Sequence, residues 1–261
     1  MARKTKIWLI IAVSLVLVGS IIFTGIMSVL KWDFRKLSTV KYQTNLYEIT
    51  ENFDDISIKT DTADIIFALS DDGKCRVGCY EDKKEKHSVT VQENTLVINI
   101  VNQKSWYDHI GINFDSPKIT VYLPKTEYSS VVINLSTGDI SLENMSAGSL
   151  DITVSTGDVD LKNIECNSVL SSGSTGDITL KNVIAKEKVS IKRSTGDVKF
   201  NGCDAGEISV ETDTGDVSGS LLSEKVFITK TSTGEINVPN TVTGGKCEIK
   251  TDTGDIKITL K

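Results

Sequence analysis

Apolar residues recur at every second position through much of this chain, and a short polar pattern interrupts them at regular intervals. The pattern is Thr-Gly-Asp/Glu-Ile/Val, and it occurs seven times in the C-terminal half. Its glycines are Gly138, Gly157, Gly176, Gly196, Gly215, Gly234 and Gly254, separated by 19 or 20 residues. A fixed period of this kind is typical of stacked repeats, in which each unit contacts only its neighbours.

Within each repeat, apolar residues stand at fixed distances from the glycine. Around Gly157, Leu150 and Ile152 precede the glycine, and Val159 and Leu161 follow it. This alternation predicts two short strands per repeat. Between the two strands, the alternation of inward and outward side chains shifts by one residue. This shift predicts a bend with positive φ at the glycine. A second corner is predicted six residues later, where asparagine tolerates the same backbone region; these residues are Asn144, Asn163, Asn182 and Asn240.

One repeat is too short to bury an apolar face alone, so like residues should stack above like. We therefore predict an all-β fold, a parallel β-solenoid of 19–20-residue repeats, over residues 131–261. An antiparallel sandwich or meander is the alternative. Residues 56–67 hold a degenerate copy with Ala63 in the glycine position, and we predict that residues 51–130 form a β region capping the first full coil. At the other end, the final strand is predicted to be an open edge.

The N-terminal segment is apolar without interruption. Residues 7–30 contain no charged side chain and are long enough to span a bilayer as a helix. We predict a cytoplasmic tail at residues 1–6, a transmembrane helix at 7–30 and a tether at 31–50, with the β domain outside the cell. A cleaved signal peptide is the alternative, but its apolar segment would be shorter and end in a small-residue site.

The repeats resemble the putative-adhesin family of bacterial β-strand repeat domains, also called toastrack domains. The resemblance covers residues 50–261 and rests on LDITVSTGDV at Leu150–Val159, CEIKTDTGDI at Cys247–Ile256 and the lead-in Ile56–Phe67. It implies a bacterial envelope protein with an all-β repeat domain, tethered here to the membrane. The resemblance brings no established catalytic residues with it.

The charge excess lies entirely in the repeats. Residues 131–261 hold 19 acidic and 13 basic residues, a net charge of −6, whereas residues 1–130 hold 16 of each. An acidic repeat domain argues against a nucleic-acid partner, whose binding needs a basic face.

An acidic residue follows the glycine of each of the seven repeats and is predicted to point outward. Stacked about 4.8 Å apart, these carboxylates would repel one another. They could accept hydrogen bonds from backbone N–H or hydroxyl groups, which is the favoured structural interpretation. Alternatively, they could form a column that binds cations such as Ca²⁺. The candidate cation ligands are Asp139, Asp158, Asp177, Asp197, Asp213, Asp216, Glu235, Asp252 and Asp255.

Other polar features are weaker. The threonine before each glycine is predicted to form an inward hydroxyl ladder. Only His87 and His109 could serve as imidazole bases, and neither has a recognisable nucleophile partner. Trp106, Tyr107 and His109 form either packing or a ligand-binding loop.

We therefore expect a non-catalytic, membrane-anchored protein of the cell envelope, without a resident cofactor. Its external β domain would bind an envelope component or a membrane partner, with a role in envelope-stress sensing. The alternative is a surface adhesin that binds wall polymer or an external surface. A polysaccharide-active enzyme is disfavoured, because the carboxylates recur in every repeat, as a structural motif would.

Overall fold

The structure, a computed structural model, describes residues 3–38, 40–102, 115–124 and 127–261. The chain divides into two compact units, of which the first holds an N-terminal helix and the second holds all the described strands. The helix α1 spans Arg3–Val29 and a short 3-10 helix spans Phe34–Leu37.

Helix α1 is long and apolar enough to cross a membrane. Within Lys4–Val29, a window of 18 residues has a mean hydropathy of 2.7. The hydroxyls of Ser20 and Thr24 donate hydrogen bonds to the carbonyls of Val16 and Ser20, one turn back. These bonds satisfy both hydroxyl donors within the helix, as an apolar environment requires.

Seventeen strands in the described part of the chain form one sheet, in which most pairs are parallel. The strands are β1 (Tyr42–Ile49), β2 (Asp55–Thr62), β3 (Asp64–Leu69), β4 (Cys75–Asp82), β5 (Glu85–Gln92), β6 (Thr95–Asn102), β7 (Lys118–Leu123), β8 (Glu127–Thr137), β9 (Ile140–Thr156), β10 (Val159–Thr175), β11 (Ile178–Thr195), β12 (Val198–Thr214), β13 (Val217–Leu221), β14 (Lys225–Thr233), β15 (Ile236–Asn237), β16 (Gly245–Thr253) and β17 (Ile256–Leu260). The predicted all-β parallel solenoid is confirmed.

Each central repeat has three inward-facing runs of side chains, where the sequence predicted two. After Gly157, Val159 and Leu161 face the core, and beyond the asparagine corner Ile164 and Cys166 face it again. The second inward residue of this third run is small in each of four repeats: Ala147, Cys166, Ala185 and Ala205. Short side chains of this kind give a weak alternation signal, which explains why the third run was not predicted.

The two predicted corners have the expected backbone. Each repeat glycine has positive φ, between 131° and 154°. A Cβ on Gly157 would lie 1.9 Å from the carbonyl oxygen of Gly138, so only glycine fits this position. Asn144, Asn163 and Asn182 have φ between 52° and 55°. The fourth predicted asparagine, Asn240, does not share this conformation.

The C-terminal coil is inserted into the stack. Strand β16 pairs with β12 on one side and β14 on the other, and β17 lies between β13 and β15. The prediction that the final strand is the open edge was therefore wrong, and the terminal coil is β14–β15. The order of the repeats in the sequence does not reveal the order of the coils in space, because coils of similar length and pattern can occupy either place in the stack.

The N-terminal end shows a similar insertion. Strands β2 and β3, which carry the degenerate repeat, lie between β8–β9 and β6–β7. Outside them, β4, β5 and β1 pair antiparallel and cover the end of the stack. The sequence predicted a tether over residues 31–50, whereas residues 42–49 form β1. That strand depends on pairing with the distant β4, which local sequence does not reveal.

Candidate binding cleft

A cleft of about 640 Å³ opens at the point where the strands of two neighbouring coils separate. Strand β3 pairs with β9 as far as Phe67 and Leu142. Strand β9 then turns at Asn144, whereas β3 continues straight to Leu69 beside Leu123 of β7. The cleft results from this divergence, because the two strands separate after sharing one register.

The cleft walls combine apolar, amide and acidic groups. Phe67 and Tyr128 are buried at its base, and the ring of Tyr128 stacks on Phe53 with centroids 5.8 Å apart. Leu69 and Ile184 present exposed apolar surface at its walls. Three carboxylates also line it, those of Glu127, Glu143 and Glu165. A volume between about 300 and 1,000 Å³ with mixed lining is typical of ligand pockets.

A ladder of asparagine amides forms one wall of the cleft. The Nδ2 atom of Asn163 donates to Oδ1 of Asn144 at 2.8 Å, and Nδ2 of Asn182 donates to Oδ1 of Asn163 at 3.0 Å. Lys162 forms an ion pair with Glu143 at 2.8 Å and partly neutralises the acidic wall. The ladder fixes the spacing of the amides, so the wall is preorganised.

The predicted acidic column forms a hydrogen-bonded ladder between coils. In each step, the backbone N–H of one acidic residue donates to the carboxylate Oδ1 of its neighbour, at distances from 2.7 to 3.2 Å. The ladder follows the spatial order Asp64, Asp139, Asp158, Asp177, Asp197, Asp216, Asp255 and Glu235. Asp213 and Asp252 lie exposed, three residues before the column members Asp216 and Asp255. Whether the column binds cations stays a prediction.

Repulsion from these carboxylates affects the pKa of a neighbouring aspartate, Asp160. Burial, together with the nearby carboxylates of Asp158 and Asp139, raises the pKa of Asp160. At the far end, a hydrogen bond from Lys257 and a second from the Glu235 backbone lower the pKa of Asp255. The column is therefore neutralised unevenly along its length.

The threonine column differs from its prediction. The side chains of all seven threonines are exposed, and the inward position before each corner belongs to the residue two places earlier, such as Val154. The feature that recurs from coil to coil is a hydrogen bond of the threonine backbone. For example, the Thr156 carbonyl accepts the N–H of Gly138 at 3.0 Å. Ser155 and Thr156 are both exposed, so the alternation already breaks before the glycine, which parity counting over the strand did not anticipate.

One buried polar chain was not predicted. His87 Nδ1 lies 2.7 Å from Oε2 of Glu81, and His87 Nε2 lies 2.8 Å from Oγ1 of Thr60. The order hydroxyl, imidazole, carboxylate is that of a hydrolase triad. However, all three residues are almost fully buried, so a substrate cannot reach them, and we interpret the chain as internal support for the covering strands.

The same place holds the one group of metal-ligand residues found in the described ranges. Ligand atoms of Cys79, Glu81 and His87 lie within 4.8 Å of one another. Burial, and secondarily the Glu81 carboxylate, raise the pKa of the Cys79 thiol to about 12. Since both imidazole nitrogens already have hydrogen-bond partners, an ion could bind only by displacing them. The candidate loop of Trp106, Tyr107 and His109 lies outside the described residues.

Comparison with known proteins identifies the fold. The family model described as Toastrack DUF4097 matches residues 53–261. No curated protein matches this chain. A solved structure described as a putative adhesin from Bacteroides fragilis is 21% identical, with a TM-score of 0.52, and the alignment covers 84% of this chain and 97% of that one. A second solved structure, described as a putative lipid binding protein from Parabacteroides distasonis, is 16% identical, with a TM-score of 0.47, and the alignment covers 85% of this chain and 98% of that one.

Proposed function

This chain belongs to the Toastrack DUF4097 family, and from that premise we propose that it is a non-catalytic, membrane-anchored protein of the bacterial cell envelope. Helix α1 anchors it, and the β-strand domain lies outside the membrane. The domain binds an envelope component or a membrane partner in the cleft between β3 and β9.

The cleft is the observation that carries this proposal. Its carboxylates and asparagine amides suit a ligand that offers hydroxyl or amine groups, and they disfavour a polyanion. Exposed Leu69 and Ile184 add apolar contact area beside these polar groups. Such a lining fits a sugar or amine-bearing segment of an envelope polymer, or a basic segment of a membrane protein.

Site-specific photocrosslinking in intact cells tests the proposal. A photoreactive residue at Leu69, in the cleft, is compared with one at Leu170, on an outward strand face away from it. Both side chains are 42% exposed in the structure, so their general encounter rates should be similar. We expect a specific product from position 69 that Glu165→Lys or Ile184→Asp removes. Identical products at both positions would contradict a role for the cleft.

The crosslinked product also separates the two forms of the function. A membrane protein would support a sensor or scaffold, and wall polymer would support adhesion. Adhesion has its own structural support, since columns of exposed threonine and serine hydroxyls run along the repeats. In that case, crosslinks would be spread along these columns and would not concentrate at the cleft.

A further inference from the structure

Strand β14 leaves one end of the stack open. Among the strands of the described chain, the residue register gives β14 one partner, β16. The opposite end is covered by the antiparallel strands β4 and β5. At the start of β14, the Lys225 carbonyl accepts a hydrogen bond from the Thr241 hydroxyl. Beyond it, an open strand presents unpaired N–H and C=O groups in a row, which is a template for pairing with another strand.

The open strand also carries exposed apolar side chains. Val226 and Ile228 face outward and are 39% and 49% exposed. Phe227 faces the core but is only partly buried, whereas Ile208 and Cys247 in the same column are fully covered by the next coil. At this end of the stack, therefore, apolar side chains are exposed that a further coil would cover.

We propose that two copies of this chain associate through antiparallel pairing of their β14 strands, with the twofold axis at Phe227. In this register, Val226 of one copy lies opposite Ile228 of the second copy, and the two Phe227 rings meet at the axis. Such an interface is isologous and closes as a dimer. It continues the sheet across the junction and covers the exposed apolar residues.

Charge complementarity favours a second copy as the occupant. A lysine on an edge strand normally discourages pairing, and β14 carries Lys230 on its outward face. The register that pairs Val226 with Ile228 also places Glu224 of the second copy opposite Lys230. Glu224 directly precedes β14, and one oxygen of its carboxylate accepts the Thr243 hydroxyl, which leaves the other oxygen for Lys230. Symmetry repeats this pair, so the dimer gains two opposite-charge contacts across the strands. An unrelated strand has no reason to carry this spacing.

Cysteine crosslinking of the full chain in nanodiscs tests the register. Chains with Val226→Cys are mixed with chains carrying Ile228→Cys under mild oxidation. Directly opposite Cβ atoms are about 4.5–5.5 Å apart, within reach of a disulfide after small adjustment. The five native cysteines are buried, so they do not compete. Leu170→Cys, in the same outward column of an interior coil, is the control and should not crosslink.

Charge reversal provides the second test. We expect Lys230→Glu alone and Glu224→Lys alone each to weaken association by about tenfold, because like charges then face each other twice. The double variant restores the pairs and should restore association. Every variant retains α1, so association through the helix would not respond to these changes.

Either of two results would overturn the proposal. One is a wild-type chain that stays monomeric in nanodiscs holding two copies. The other is a dimer that crosslinks at position 170 as well as at 226 and 228, or that ignores charge reversal. Thermal unfolding of each variant identifies any that fail to fold, and the restored double variant shows that the singles acted at the interface. The cleft is not involved, so this test and the photocrosslinking test fail independently.

Discussion

At the scale of single residues, the acidic column shows how a repeated charge can serve the fold. Each carboxylate before Glu235, the last residue of the ladder, accepts a backbone N–H from the neighbouring coil, so the acid caps a donor that the corner would otherwise leave to solvent. Asp158 is typical: Oδ1 accepts the N–H of Asp177 at 2.7 Å. The bond needs an oxygen acceptor at this place but does not need a negative charge.

Substitution of Asp158 separates these two requirements. Asp158→Asn keeps an acceptor oxygen and removes one repelling charge, so we expect unchanged or slightly higher stability. Asp158→Ala removes the acceptor and should lower the free energy of unfolding by about 1 kcal/mol. Urea unfolding of both variants measures the difference.

Calcium provides the complementary measurement for the same residue. Since the ladder already uses one oxygen of every carboxylate before Glu235, we expect the wild-type melting temperature to be equal with calcium and with chelator. A higher melting temperature in calcium, lost in Asp158→Asn, would instead support a cation column.

At the scale of elements, some features follow from local sequence and others do not. The corners were predictable because Gly157 and Asn163 signal positive φ by their identity. The third inward run was missed because residues such as Ala185 carry little hydrophobic signal. The cleft was missed because it depends on where β3 and β9 diverge, which is a property of non-local pairing. The same holds for His87, whose partner Thr60 comes from a separate strand.

A polar corner between β12 and β14 is another non-local element. The buried ammonium of Lys225 donates to Oδ1 of Asp204 at 2.6 Å and to Oγ of Ser223 at 2.7 Å. Burial by itself would raise the pKa of Asp204, but the hydrogen bonds from Lys225 and Ser223 hold that pKa below its usual value of 3.8. A lowered folded-state pKa stabilises the fold above the unfolded value, and this contribution is lost as the pH falls through the folded value.

Asp204→Asn should therefore lower stability in a pH-dependent way. At about pH 7 we expect a loss of about 1–3 kcal/mol, because buried Lys225 loses its counter-charge while Asp204 itself is partly exposed. At a pH below the folded-state pKa, wild-type Asp204 is protonated and the difference should nearly vanish. Urea unfolding at both pH values measures this, with the exposed Asp151→Asn as control. An equal loss at both pH values would show that shape, and not charge, matters here.

At the scale of the whole molecule, the order of coils in space differs from their order in sequence. The coil that contains β16 and β17 lies between two coils that precede it in the chain. Consequently β14 cannot reach its final place before the C-terminal residues arrive. Repeat proteins with sequential stacking can fold by propagation from any unit, whereas here β14 can dock only after β16 is in place.

Engineered disulfides distinguish the inserted order from sequential stacking. Three outward side chains mark the coils: Glu211 pairs with Lys250, and Lys250 pairs with Lys230. Neighbouring strands lie about 4.8 Å apart, and next-neighbour strands about twice that. We therefore expect Glu211→Cys to crosslink with Lys250→Cys, and Lys230→Cys with Lys250→Cys, while Glu211→Cys and Lys230→Cys do not react. Sequential stacking would bring positions 211 and 230 together and leave 211 and 250 two strands apart. Peptide mapping of the oxidised chain decides between them, because the pairs 211–250 and 211–230 give opposite results in the two orders, whereas the pair 230–250 reacts in both and serves as a positive control.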